Sequence, residues 1–251
     1  MMPNVWIYTL LSVFIVSLVS FVGLLALSIN EDRLKKMLLY LVSFSAGALF
    51  GDAFIHLLPQ IAEETGGFGL NISIYVLLGI VVFFILEKII NWHHYHYPHT
   101  KEQVHPLAIT NLFGDAFHNL IDGLIIGASY LLSIPVGIAT TIAVVLHEIP
   151  QEIGDFGVLI HGGFSKTKAL FFNALTAVTA LIGAVIALVL GAQVAGLTTF
   201  LIPFAAGGFI YIAGSDLIPE LHKVVQLKKS LLQLLAFVSG ILVMVALLWL
   251  E

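Results

Sequence analysis

Two short stretches concentrate residues with the chemistry to ligate a cation. The first runs Asp115, Ala116, Phe117, His118, Asn119, Leu120, Ile121, Asp122, Gly123, and the second runs His147, Glu148, Ile149, Pro150, Gln151, Glu152, Ile153, Gly154, Asp155. Residues four apart share a helix face. His118 and Asp122 are therefore placed to grip one cation, with Asn119 at an adjacent angle and Asp115 about one turn earlier. In the second stretch His147 pairs with Gln151, and Glu148 pairs with Glu152 on a neighbouring strip. Set against each other, the stretches predict two adjacent pockets, one of His118, Asp122, His147 and Gln151 and one of Asn119, Glu148 and Glu152. Mixed nitrogen and oxygen donors suit Zn²⁺, Fe²⁺ and related divalent ions better than Ca²⁺ or Mg²⁺, which prefer oxygen alone. The rival reading, polar contacts gluing helices together, rarely needs so many carboxylates.

Pro150 has no backbone donor and tends to kink a helix, which frees the carbonyl of Leu146 to face the site. His147 and Glu148 look at first like the start of a zinc-protease motif. That motif requires His at the fourth following position, where this chain has Gln151. An intramembrane peptidase is thereby a remote reading, with no evident substrate cleft or oxyanion donors.

Weaker candidates surround these stretches. Asp52 and His56 are again four apart and sit near the end of a hydrophobic segment, where they suit an entrance or exit relay or a buried structural pair. Asp216 and Glu220 lie one turn apart and read as part of a path or as a polar collar at a helix end. Asn173 is a single amide in an apolar stretch, equally suited to glue or to ligation. Asp155 closes the second motif as a further path candidate. The run from about Asn91 to Pro106 contains His93, His94, His96, His99 and His105. Such a tract is either a polar linker or a weak, exchangeable metal binder, and its irregular spacing predicts no rigid site.

The elements that must carry these residues are membrane helices. The chain has 251 residues, 59% hydrophobic and only 10% charged, with a mean hydropathy of +1.05, far from the quarter of charged residues typical of a soluble domain. It reads as a single transmembrane domain over 1–251. A net charge of -5 without a basic stripe leaves nothing to neutralise nucleic-acid phosphates. The absence of cysteine removes thiolate ligands and thiol catalysis. Stretches long enough to span a bilayer, about 20 residues each, fall at approximately 5–29, 37–60, 71–92, 107–130, 134–161, 165–191, 194–219 and 229–250. The fold expectation is thus an all-α polytopic membrane protein of eight transmembrane helices. The first segment lacks a basic flank or cleavage site and reads as a retained helix.

The cations support this order. No Lys or Arg falls in the central part of a segment, and with the N-terminus outside all 10 lie at cytoplasmic ends or loops. The positive-inside rule then sets both termini outside, at the cell membrane. The segment centres are left with acids and imidazoles and no fixed cation, a costly arrangement retained for a pathway or a site.

The signatures His118-Asn119-x-x-Asp122-Gly123 and His147-Glu148-x-Pro150-Gln151-Glu152-x-Gly154-Asp155 strongly resemble those of the ZIP family of divalent-metal transporters. The resemblance covers nearly the whole chain, the His-rich connection between the third and fourth segments included. It implies a binuclear centre between the fourth and fifth segments, with His118, Asp122, His147 and Gln151 in one site, Asn119, Glu148 and Glu152 in the second, and Asn173 as an outer contributor. It also implies movement of the ion towards the cytoplasm by an elevator-type alternation of access, frequent dimers, and Asp52 and His56 on the path. Many members have His where this sequence has Gln151, a weaker neutral ligand. The expected substrate is Zn²⁺, with Fe²⁺, Mn²⁺ or Cd²⁺ as alternatives, no organic cofactor, and lipid as the surrounding partner. A channel-like metal pathway and a membrane metal sensor are the competing functions.

Overall fold

A computed structural model of the chain describes residues 3–23, 31–94, 106–191, 193–194 and 196–250. All regular structure among them is helical: α1 (Pro3–Val19), α2 (Glu31–Gly51), α3 (Leu58–Glu64), α4 (Leu70–His94), α5 (Pro106–Leu132), α6 (Ile134–His161), α7 (Lys166–Gly191), α8 (Leu197–Tyr211), α9 (Ile218–His222) and α10 (Leu227–Leu247). Six helical stretches are long and apolar enough to cross a membrane: Lys36–Glu64, Leu70–Lys88, Ile134–Ile160, Lys166–Gly191, Leu197–Ser215 and Leu227–Leu247. The chain is therefore an all-α polytopic membrane bundle. Two of the expected spans are not among the six. The first is represented by a shorter apolar helix at Asn4–Val19, and residues 24–30 of that segment lie outside those described. The fourth, α5, is 27 residues long, but it carries Asn111, Asp115, His118, Asn119 and Asp122, the polar side chains that hold the chemistry.

The helices sort into a group of four, α1, α5, α6 and α7, and a second made of two flanking pairs, with α2 of the second also packed against α6 of the first. α5 packs against α7 and α6, and α1 lies over α6 and α7; α2 packs along α10, and α4 along α8. Glycine sets the closest of these pairings. A Cβ on Gly123 would lie 1.8 Å from the carbonyl oxygen of Ala180, and one on Gly183 would lie 2.0 Å from that of Leu120, so α5 and α7 touch backbone to backbone. Small residues at such crossings let membrane helices approach without a hydrophobic drive between them.

α2 and α8 are each interrupted in the same way. A π-helical turn spans Asp52–Leu57 after α2 and Ile212–Leu217 after α8. Each is followed at once by a helix with proline in second place, Pro59 or Pro219. Proline offers no N–H to the carbonyl four residues back, and the wider turn reassigns the ladder, with the Leu58 N–H bonding Ala53 O and the Ile218 N–H bonding Ala213 O. Phe44, Ala46, Gly47, Leu57 and Pro59 match Phe204, Ala206, Gly207, Leu217 and Pro219 at one constant offset. The two segments are thus related in sequence as well as in shape.

The outer surface is apolar, with Ile7, Phe14, Leu77, Phe84, Leu235 and Leu242 among its exposed side chains, as contact with lipid tails requires.

Candidate metal centre

One residue separates the two helices that carry the motifs. Ser133 is extended, its hydroxyl accepts a hydrogen bond from the Val136 N–H, and Pro135 occupies the first turn of α6, where a missing N–H costs nothing. So tight a turn folds α6 back along α5 and brings His118 and Asp122 opposite His147 and Glu148.

Those four side chains converge. His118 Nε2 lies 3.1 Å from His147 Nε2, 3.3 Å from Glu148 Oε1 and 3.7 Å from Asp122 Oδ2. His147 Nε2 lies 3.2 Å from Asp122 Oδ2 and 3.5 Å from Glu148 Oε1. Zinc bonds of roughly 2.0–2.2 Å in a tetrahedron hold their ligand atoms about 3.3 Å apart, so the spacings are those of four donors around one shared ion. One potential ligand atom from each residue lies within 4.8 Å of all the others. Both Asp122 carboxylate oxygens and Glu148 Oε1 are buried without a hydrogen-bond partner, a costly state for carboxylates that a cation relieves.

The surroundings aim the imidazoles. His147 Nδ1 sits 3.1 Å from the carbonyl of Ala143, one helical turn earlier, which takes the ring proton and leaves the Nε2 lone pair turned to the cluster. His147, Asp122 and Glu148 are at most 1% exposed, whereas His118 is 15% exposed. His118 opens on a cavity of about 360 Å³ that runs between the two helix groups.

The placement of the remaining expected residues is mixed. Gln151 is half-buried and lines this cavity beside His118, and Glu148 stands with His118, Asp122 and His147. Asn119 turns away to donate to Asp115 Oδ1 at 2.7 Å, and Thr176 of α7 donates to the other oxygen of Asp115. Glu152 accepts a short hydrogen bond from Asn173 Nδ2. Asn119 and Asn173, at 1% and 0% exposure, each keep a buried Oδ1 with no donor. Asp155 lines the cavity and accepts from Asn111 at 3.0 Å.

Further away, Asp52 Oδ1 accepts from Thr140 of α6 at 3.4 Å, and His56 Nε2 lies 2.8 Å from the Met244 carbonyl of α10. Asp216 falls in the second π turn and Glu220 in α9, and their side chains are outside those described. His93 and His94 end α4, their side chains likewise undescribed, while His96, His99 and His105 lie outside the described residues altogether. Sequence reasoning missed Thr176 and Asn111. Thr176 stands three residues after Asn173, a same-face spacing that was the available signal. The carbonyl freed by Pro150 proves to be bonded: Ser45 of α2 donates to Leu146 O at 2.6 Å.

A multi-pass helical bundle holding two imidazoles and two carboxylates around one buried point defines a membrane protein with a candidate transition-metal centre. The comparisons with known proteins agree. A model of the ZIP zinc transporter family matches residues 4–107 and 93–248, and the chain belongs to that family. It is 31% identical to the zinc transporter SLC39A7 of Canis lupus familiaris over 339 aligned positions, covering 99% of this chain and 72% of that protein. It is 32% identical to zinc transporter zipt-7.1 of Caenorhabditis briggsae, covering 95% and 78%, and 33% identical to zinc transporter ZIP13 of Pongo abelii, covering 96% and 78%. Membership sets the protein among carriers rather than enzymes.

Proposed function

We propose that the protein moves Zn²⁺ across its membrane, towards the cytoplasm, through the His118, Asp122, His147 and Glu148 cluster. The observation that carries this reading is the spacing of the four donors, which matches one tetrahedral ion, in a member of a family described by zinc transport. The carboxylates offset the charge of a dehydrated ion, and the imidazoles bias selection away from hard cations. Fe²⁺, Mn²⁺ and Cd²⁺ are the alternative substrates of the same donor set.

The eight-crossing topology with both termini outside is supported by the sidedness of the basic residues. Under that topology α4 ends and α5 begins on the cytoplasmic side, and the cavity beside His118, lined by Asn111, Asp155 and Glu87, opens the cluster towards that side. Alternating access is supported by the two helix groups that flank the cavity, the backbone-tight α5 and α7 pair moving with α6 and α1 against the rest. A second station is supported by the donor-free oxygens of Asn119 and Asn173 beside Glu152, an oxygen-rich environment for a second ion in transit. Asp52 and His56 are proposed for the outer part of the path. The deciding experiment is metal-by-metal uptake into liposomes holding purified wild type or the His118→Ala variant. Unchanged flux in the variant sinks the assignment, whereas metal binding without accumulation in the wild type makes the protein a sensor. A rate that fails to saturate makes it a channel.

A further inference from the structure

The cations of the chain are distributed unevenly. Six of its 10 Lys and Arg, namely Arg33, Lys35, Lys36, Lys223, Lys228 and Lys229, fall at or shortly before the starts of α2 and α10, against the acids Glu31, Asp32 and Glu220. Packing brings those two starts together. A Cβ on Gly47 would lie 1.9 Å from Phe237 O, and one on Gly240 would lie 2.1 Å from Phe44 O and 3.1 Å from the carbonyl carbon of Gly47, so α2 and α10 touch backbone to backbone here. One turn further along both helices a Cβ on Gly51 would meet Met244 at 2.7 Å, so the two run parallel. Lys36 and Lys229 each stand 11 residues before the touching glycines, about 16 Å along the axis. They are therefore level with each other at one end of the pair, with Arg33 about a turn below Lys36 and Lys228 next to Lys229. Arg33, Lys36 and Lys228 are exposed and Lys229 is half-buried, while the side chains of Glu31, Asp32 and Lys35 lie outside those described. Among the described residues none of those four cations is in an ion pair.

The turn that leads into α10 adds an apolar element. Val225 is 91% exposed and Leu227 77%. Their presentation is built in: the Ser230 hydroxyl donates to Val224 O at 3.3 Å and Gln233 Nε2 donates to Leu221 O at 3.3 Å, which ties the turn back onto the first part of α10. Bare aliphatic side chains between cations are poorly hosted by water. An anionic lipid surface suits both, with phosphates at the level of the Lys and Arg side chains and acyl chains around the aliphatic tips.

We propose that the paired starts of α2 and α10 bind an anionic phospholipid, its headgroup phosphate held by Arg33, Lys36, Lys228 and Lys229 and its acyl chains packed against Val225 and Leu227. The site is remote from the metal cluster and independent of the transport reading. Under the eight-crossing topology the lipid belongs to the cytoplasmic leaflet, the one that carries anionic headgroups. Free phosphate shares the headgroup chemistry, but only a lipid uses the aliphatic pair.

The test titrates purified protein in neutral detergent with dihexanoyl phosphatidylglycerol or dihexanoyl phosphatidylcholine and counts bound lipid by native mass spectrometry. Wild type prefers the anionic lipid at least about tenfold, since each cation near an anionic surface contributes roughly fivefold. Lys36→Gln/Lys229→Gln lowers retention of phosphatidylglycerol to near that of phosphatidylcholine, with an unchanged midpoint of thermal unfolding in lipid-free detergent, and Lys36→Arg/Lys229→Arg keeps the preference. Val225→Ser/Leu227→Ser weakens retention about fivefold. Lys166→Gln/Lys168→Gln, which removes two exposed cations from the start of α7, changes nothing. Equal loss in that α7 variant reduces the preference to general surface charge and overturns the proposal. Retention indifferent to the aliphatic pair, the mark of a site for free phosphate, overturns it too, as does a wild type with no preference for the anionic lipid.

Discussion

The pairs Asp52–His56 and His118–Asp122 consist of the same acid and imidazole at the same four-residue separation, and the fold uses them differently. His56 settles on a backbone carbonyl of α10 and Asp52 takes a hydroxyl from Thr140. His118 and Asp122 meet a second such pair, and the Asp122 oxygens find no hydrogen-bond donor. One pair ties its helix to neighbouring helices; the other leaves lone pairs aimed at a point shared with His147 and Glu148. Spacing along a helix is therefore only half of a metal site, and the other half is the hairpin at Ser133 that sets α6 against α5. Thr140 stands seven residues before His147 on α6, roughly 10 Å along the axis, so the two pairs lie at different depths of one helix face.

The largest expected effect separates them directly. Asp122→Ala leaves the two imidazoles and Glu148 without their shared counter-ligand and weakens equilibrium Zn²⁺ affinity at least about 100-fold, since even outer-shell changes cost up to that factor. Asp52→Ala holds affinity within about threefold by the same comparison, because Asp52 is not among the four donors. Titration calorimetry on both purified variants measures it, and equal losses would erase the distinction.

Acidity is the next lever. The cluster needs His118 and His147 with free nitrogen lone pairs, so a bound proton on either competes with the metal and metal binding releases protons. Affinity accordingly rises with pH. Lowering the pH from about 7.5 to about 5.5 weakens Zn²⁺ binding at least about tenfold, because more protons compete for the two imidazole nitrogens. An affinity that is flat over that window would mean the imidazoles are not ligands. The Asp52–His56 region contributes nothing to this dependence, so His56→Gln preserves it.

A smaller change sharpens the boundary of the site. Gln151 lines the cavity one turn after His147. Gln151→His sets a third imidazole at the mouth of the cluster, and the expected result is Zn²⁺ affinity tighter by about tenfold with slower release, since imidazole is the better ligand for this ion. Unchanged affinity would show that the position is beyond the ion's reach.

The legible part of the molecule was what periodicity and charge control. The helical class followed from apolar runs, and the identity of three of the four converged donors as partners, His118, Asp122 and His147, followed from the four-residue spacing. Glu148 stands with those three although the helical spacing paired it with Glu152, because positions on adjacent strips of a helix differ by about 100° and a small rotation of α6 decides which strip faces α5. The π turns at Asp52–Leu57 and Ile212–Leu217 had a visible cause in Pro59 and Pro219, yet proline alone does not distinguish a kink from a wider turn. Thr176 and Ser45 went unread because a hydroxyl in a membrane helix usually bonds its own preceding turn, and only the packed structure shows which ones reach another helix.

Ser45 gives the smallest and most local test. Its single hydroxyl proton has two acceptors, Leu41 O on its own helix at 2.8 Å and Leu146 O on α6 at 2.6 Å. Pro150 leaves the second carbonyl without its helical donor, so Ser45 satisfies from α2 a gap one residue from His147. Interhelical hydrogen bonds in membrane proteins average about 0.6 kcal/mol, which sets the expected loss of stability in Ser45→Ala, read as a small fall in the midpoint of thermal unfolding in detergent. Ser45→Thr keeps the donor and restores it. Zn²⁺ affinity should not move, because the His147 ring is oriented by Ala143 within α6 itself. If Ser45→Ala does weaken binding, the cluster depends on a contact from the opposite helix group, and a site assembled by α5 and α6 alone is no longer tenable.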